Sequence, residues 1–320
     1  MDRSSIAIAM AEKSTRRKPA AVYGYLAIIV LTWAGNWPLM KLALGQAPPL
    51  MFLLLRLVGS LVLMAPALAL SGQRLLPAPG ERVGLFWVGQ LQVFGFMICS
   101  IIGLSILPAG RAIVLGYTMP LWAIPIGLFL WPEPIGRRQL VGAAIGFAGL
   151  VLFMNPGLVD WENPRILGGN AMLLLAAILW AFGSCLYRRR AWRTPFGSQT
   201  FWQLAVSALP VGVLVASGWG SEPVVWSRGF IAIVIYNCLV TTALGYFLWA
   251  KVLALMPAAT AGQVLTLTPI GGFMLSLAIF GGTLTPGVIA SISLIVTGIL
   301  VTLIRDRPPP QDAHERRQSR

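Results

Sequence analysis

Acidic residues are scarce in this sequence: ten Asp and Glu stand against twenty-four Lys and Arg in 320 residues, and all ten lie in tails, connections or the ends of apolar runs. No carboxylate is therefore left in the middle of an apolar stretch to relay protons. The single histidine, His314, sits near the C-terminus, which excludes a metal site built on histidine. Cys99, Cys185 and Cys238 each stand alone within an apolar run, so they give no disulfide framework and read as small hydrophobes. There is no Gly-rich phosphate cradle closing on Lys-Ser/Thr, which excludes an ATPase. No His, Asp pair or Ser–Lys dyad lies within an apolar run to serve a membrane hydrolase. Catalytic residues, metals and cofactors are accordingly not expected.

What the chain has is apolar length. Hydrophobic residues make up 57% and charged residues 11%, more apolar surface than a soluble domain can hide. Runs of about 20 residues recur, enough at about 1.5 Å per residue to cross a hydrocarbon core about 30 Å thick. They read as spans at 21–40, 50–70, 83–106, 110–131, 139–155, 167–187, 198–217, 229–252, 261–280 and 286–304. Pro, Gly and Ser clusters punctuate them, from Pro48-Pro49 to Gly281–Pro286. Connections are short, so no soluble domain intervenes. The segment 1–20 is a basic leader to a first run that is too long for a signal-peptide core and lacks a cleavage site. The charged, Pro-rich 305–320 reads as a disordered tail.

The net charge of +14 is explained by position. With the N-terminus inside, nineteen Lys and Arg fall on the cytosolic side and four, Lys41, Arg111, Arg165 and Arg228, on the other. This bias places both termini in the cytosol and leaves no call on nucleic acid. Pro108, Pro120 and Gly149 recur 149 residues later as Pro257, Pro269 and Gly298, and Trp33-Ala34 recurs 147 residues later as Trp180-Ala181. A repeat of five spans is odd, so the second copy enters the membrane inverted. Inverted repeats are the signature of secondary transporters with a site near the midplane. The expected fold is thus an all-α integral membrane protein of ten helices, an inverted 5+5 repeat (21–155 and 167–304) around a central cavity.

The pattern resembles the drug/metabolite transporter superfamily, specifically its EamA-type members. The resemblance rests on Leu31 to Pro38, Pro48-Pro49 with Leu55-Arg56, Leu107 to Gly110 before Pro120, Glu133, and the glycine pattern of Leu140 to Leu152. Pro257-Ala258 to Pro269 and Gly298-Ile299 carry it in the second half. It covers 21–304. A second Glu after the ninth span is often present in such proteins, and here Gly281-Gly282-Thr283 stands instead. The resemblance implies a ten-helix basket, spans 5 and 10 peripheral, handling amino acids, nucleosides, other metabolites or drugs.

The candidate substrate-binding residues are Trp33, Asn36, Trp37, Arg56, Gln90, Tyr117, Trp180, Gln203, Tyr236, Asn237 and Gln263. Trp33, Asn36 and Trp37 share a helix face at i, i+3 and i+4. Trp33 and Trp180 approach the midplane from opposite sides, either as bundle packing or as a wall that stacks on flat cargo. Arg56 is the one basic residue well inside a span, where insertion costs about 2.5–3.5 kcal/mol. It either binds an anion or snorkels outward. The amides of Gln90, Gln203, Asn237 and Gln263 either bridge helices or bind cargo, and of Gln90 and Gln92, two apart, at most one faces the cavity. Gly142, Gly146 and Gly149 read as a packing stripe, and Pro120, Pro125, Pro210 and Pro269 as helix kinks. The resulting expectation is a secondary transporter that exports small amphipathic metabolites across the cytoplasmic membrane. Its partners are a small-molecule substrate and membrane lipid, with a homodimer left open. A channel or a non-transporting sensor is the alternative, and a membrane enzyme a distant third.

Overall fold

The computed structural model describes residues 3–130, 136–154, 162–220, 222–256, 258–265, 267–281 and 284–303. The side chains of 3–20 and of a few helical residues, Gln263 among them, are outside that description, as are Glu133 and the tail. Among the described residues the chain is helical: α1 (Arg3–Ala43), α2 (Pro49–Leu70), α3 (Arg82–Ile106), α4 (Ala109–Gly116), α5 (Met119–Leu130), α6 (Arg137–Met154), α7 (Pro164–Arg188), α8 (Phe196–Ala216), α9 (Arg228–Leu255), α10 (Ala258–Leu265), α11 (Leu267–Phe280) and α12 (Pro286–Leu303). Six stretches are long and apolar enough to cross a membrane: Ala21–Ala43 and helices α2, α3, α7, α8 and α9.

The local chemistry sets these boundaries. Pro48, Pro108 and Pro195 are extended, with ψ of 145°, 144° and 145°, and each stands immediately before the first residue of a helix. Asn163 accepts from the backbone amides of Arg165 and Ile166 at the start of α7, and Ser227 from that of Phe230 in α9. Gly72 (φ 64°) and Gly218 (φ 95°) follow the ends of α2 and α8 in the left-handed conformation that closes a helix.

Two expectations need revision. The stretch 110–131, read as one span, is two helices, because Pro120 has no N–H to continue the ladder past Tyr117–Thr118. Thr118 repairs the break by donating its hydroxyl to the Leu115 carbonyl at 2.9 Å. Within α3 and α9 the middle of the helix winds as a π segment, Gly89–Gly95 and Asn237–Leu244 respectively. Neither was anticipated.

The strongest packing partners are α6 with α12, the second half of α3 with α7, α2 with α8, and α1 with α11. In the first pair a Cβ added at Gly298 would lie 2.5 Å from the Gly142 carbonyl and 2.6 Å from the Gly146 amide. One at Gly149 would lie 2.9 Å from the Ile295 amide and from the Ser291 carbonyl. The small-residue stripe is thus backbone-to-backbone packing. Cations cap two other helix ends. Lys41 donates to the carbonyls of Leu104, Ser105 and Leu107 at the end of α3, and Arg188, 147 residues on, to those of Leu253 and Met256 at the end of α9.

The connection before α3 is clasped to the one before α8. Buried Glu81 accepts from the Arg193 amide (2.7 Å), the Thr194 amide (3.0 Å) and the Thr194 hydroxyl (2.5 Å). Burial works against its charge, but these bonds and the Arg193 guanidinium at 3.6 Å outweigh that and hold its pKa below the ordinary carboxylate value.

Candidate binding cavity

Where α1, α2, α3, α4, α7 and α9 meet, a cavity is lined by Trp33, Asn36, Trp37, Met40, Phe52, Leu53, Arg56, Phe96, Met97, Ser100, Ile101, Tyr117, Trp180 and Tyr246. Its volume is about 30 Å³, room for one or two water molecules. Anything larger enters only if the wall moves.

The aromatic wall is a connected set. Trp33 and Trp180 meet edge to face at 5.5 Å and 84°, Tyr246 lies 5.9 Å from the first and 5.5 Å from the second, and Phe96 lies 4.7 Å from Trp180. Trp249 closes the group at 5.7 Å from Trp180, and Trp37 pairs with Tyr117 at 6.1 Å. Such contacts fix ring orientation as well as burying area. The indole N–H of Trp33 is spent on the Thr241 carbonyl inside the π segment of α9 at 2.9 Å, so this ring is held by the scaffold. Gly245 makes room for it, since a Cβ there would lie 2.5 Å from Trp33 Nε1.

Arg56 is 7% exposed, its head group lying among α1, α2 and α9 rather than reaching outward. Its Nε donates to Thr242 Oγ1 at 2.5 Å, again on the π segment of α9. The π winding thus supplies both the carbonyl that anchors Trp33 and the hydroxyls beside Arg56, in keeping with the frequency of such bulges at functional sites.

Six of the candidates, Trp33, Asn36, Trp37, Arg56, Tyr117 and Trp180, line this cavity. The others described are elsewhere. Gln90 donates to the Val206 carbonyl at 2.8 Å, bridging α3 and α8. Gln203 is buried against α3, its Cα 3.2 Å from where a Cβ on Gly89 would be. Tyr236 donates to the Thr32 carbonyl at 2.6 Å, and Asn237 to the Ile233 carbonyl of its own helix at 3.0 Å. Gln92 is also outside the cavity, bonded to Ser184 at 2.7 Å. In lipid an unpaired amide is costly; Gln90 and Gln92 meet that demand by bridging helices, whereas Gln203 Nε2 and Asn237 Oδ1 are buried without a partner. Gln263's side chain is outside the described residues.

Phe96, Ser100 and Tyr246 line the cavity and were not singled out. The signal was present for two of them, since Phe96 and Ser100 lie i, i+4 on one face. Tyr246 follows the π segment, whose extra residue rotates everything downstream by about 100° from a continuous α register.

A second cavity of about 60 Å³ lies beside the first, sharing Tyr117, with Gly142, Gly146 and Gly298 of the α6–α12 pair in its wall.

The model of the EamA-like transporter family matches the chain twice, at residues 21–155 and 167–304. Among curated relatives, the uncharacterized transporter YvbV of Bacillus subtilis is 28% identical over 86% of this chain and 88% of its own length. A probable amino-acid metabolite efflux pump of Salmonella typhimurium is 24% identical over 88% of this chain and 94% of its own. One solved crystal structure superposes with a TM-score of 0.70 at 20% identity, covering 89% of this chain and 97% of that one, which is a likeness of fold. Matched across both halves, the chain belongs to the EamA-like transporter family within the drug/metabolite transporter superfamily, and is a multi-pass integral membrane transporter rather than an enzyme.

Proposed function

We propose that the protein is a secondary transporter that exports small amphipathic metabolites, such as amino acids or drug-like compounds, by alternating access around the Trp33–Arg56–Trp180 cavity. The observation that carries this is the cavity itself: aromatic walls and one guanidinium enclosed among helices from both family-matched halves. Its small volume fits a state closed to both sides, from which either side opens by moving part of the wall. Two relatives named as probable amino-acid metabolite efflux pumps support the cargo class.

The reading includes ten spans in an inverted 5+5 arrangement. Hydrogen bonding supports it, because one pattern occurs twice with matching offsets. Ser60 Oγ donates to the carbonyls of Arg56 and Cys238, and 147 residues on Ser207 Oγ donates to those of Gln203 and Gly89. The π segments, the post-proline helix starts and the Lys41 and Arg188 caps recur in the same way. The Lys and Arg bias supports a reading with both termini on the cytosolic side of the cytoplasmic membrane.

Counterflow in proteoliposomes tests the reading: preloaded amino acids should accelerate uptake of the labelled cargo, which a channel or a sensor does not do. Absence of flux across a broad amino-acid and metabolite panel, or single-channel currents, would refute it. Alanine at Trp33 or Trp180 in well-folded protein should weaken binding about two- to tenfold, the value of one aromatic contact. Unchanged affinity in both would return the pair to packing alone.

A further inference from the structure

Arg56 carries five N–H groups. Nε is satisfied by Thr242, but Nη2 reaches Thr241 Oγ1 only at 3.5 Å and Nη1 has the thioether of Met40 at 3.3 Å. The first is at the limit of a hydrogen bond and the second a weak acceptor. Among the described residues no carboxylate pairs with this guanidinium, and no other charged side chain lines the cavity.

Around it stand polar atoms with no partner: Asn36 Oδ1, Ser100 Oγ and the Tyr246 hydroxyl, each buried and each from a residue of the cavity wall. These residues are 5%, 4% and 4% exposed. Buried polar groups are almost always bonded. Of the eight buried side-chain atoms without a partner among the described residues, three belong to this one wall beside the under-bonded guanidinium, and a guest admitted by movement of the wall can complete their bonds. Their chemistry is not uniform. The guanidinium fork matches a planar oxyanion, the two hydroxyls can donate to one, and Asn36 Oδ1 only accepts. The rest of the wall is aromatic or aliphatic, fit for a flat or apolar body.

We propose that this cavity seats a monocarboxylate that also bears an N–H donor, an uncharged-side-chain α-amino acid being the simplest case. The carboxylate faces Arg56 with the Ser100 and Tyr246 hydroxyls, and the N–H group faces Asn36 Oδ1. This rests on the reading of the cavity as the cargo site and adds the head group it selects. A dicarboxylate would bring a second negative charge with no cation to meet it. An amine without a carboxylate would leave Arg56 unpaired and face it with a like charge.

The test is calorimetric binding to purified full-length protein with matched probes: phenylalanine against phenylalaninamide and phenethylamine, and leucine against leucinamide. Each acid should bind at least about tenfold more tightly than its amide, the loss expected for one charge-assisted contact. Arg56→Gln should erase that discrimination, and Arg56→Lys should retain part of it. Equal affinity of acid and amide, no binding of either acid, or unchanged discrimination in folded Arg56→Gln would overturn the proposal. The wild-type comparison decides even if the variants do not fold. Acid binding without flux in proteoliposomes would refute the transporter reading and leave the head-group site standing. Flux indifferent to the Arg56 substitutions would do the reverse.

Discussion

The contact of α2 with the π segment of α9 and the contact of α8 with the π segment of α3 are alike in backbone and unlike in side chains. In the first, Ser60 ties the Arg56 and Cys238 carbonyls at 2.7 and 3.0 Å; in the second, Ser207 ties those of Gln203 and Gly89 at 2.6 and 3.0 Å. The glycine that permits close approach changes sides. It is Gly59 on α2, facing Cys238, in one contact, and Gly89 on the π segment, facing Val206, in the other. Arginine is present at one position and glutamine at its counterpart. The docking geometry is thus kept twice while the charge is placed once, so the packing of these helices does not require the guanidinium.

The sharpest way to break that comparison is through the two glycines. A Cβ on Gly89 would lie 2.6 Å from Val206 Cγ2 and 3.1 Å from the Gln203 carbonyl, whereas one on Gly59 meets only Cys238, with Sγ at 2.5 Å. Gly89→Ala should cost about 1–3 kcal/mol by overpacking, read as a lowered melting temperature in detergent. Adding Val206→Ala should restore only part of it, because the backbone contact remains. Cys238→Ala should restore most of the loss in Gly59→Ala. Full recovery in both double variants would mean that the contacts are more alike than their geometry indicates.

The serines should give a smaller and matched effect. Ser60→Ala and Ser207→Ala each remove a bridging hydroxyl, and each should cost about 0.5–1.5 kcal/mol. A difference larger than either value in thermal or denaturant unfolding would show that the two bridges are not equivalent.

Gln203 should be smaller still. Its Nε2 is buried with no partner, so Gln203→Met should be neutral or stabilising by up to about 1 kcal/mol, with binding affinity unchanged. A loss of binding would move Gln203 into the site.

The clasp at Glu81 is tested through pH. Its carboxylate is held below its ordinary value of 4.5, so it contributes stability above that value, and the contribution is lost as pH falls through the depressed folded value. Melting temperature of the wild type should therefore drop below about pH 4.5 more steeply than that of Glu81→Gln. Parallel profiles would remove the clasp as a pH-sensitive contact.

Much of this arrangement was legible in the sequence, and the part that was not has a common cause. Helix positions follow from apolar length and from prolines such as Pro48 and Pro195. The meeting of Trp33 with Trp180 follows from their equivalent depth in the two halves. The fate of Arg56 does not, because its partners Thr241 and Thr242 are 185 and 186 residues away on a π segment that no periodicity announces. The same winding hides Tyr246. The amides Gln90 and Asn237 were ambiguous for a different reason: a lone amide in an apolar helix meets its bonding needs equally well from a carbonyl or a ligand, and only the three-dimensional neighbours decide.

The edge-to-face contact of Trp33 and Trp180, with Trp249 close to both, has an optical consequence. Indole transitions at such separations couple to one another, and the coupling depends on the mutual angle of the rings. The cavity wall therefore carries its own chromophores, and a conformational step that parts these rings would register in near-ultraviolet circular dichroism without any added label.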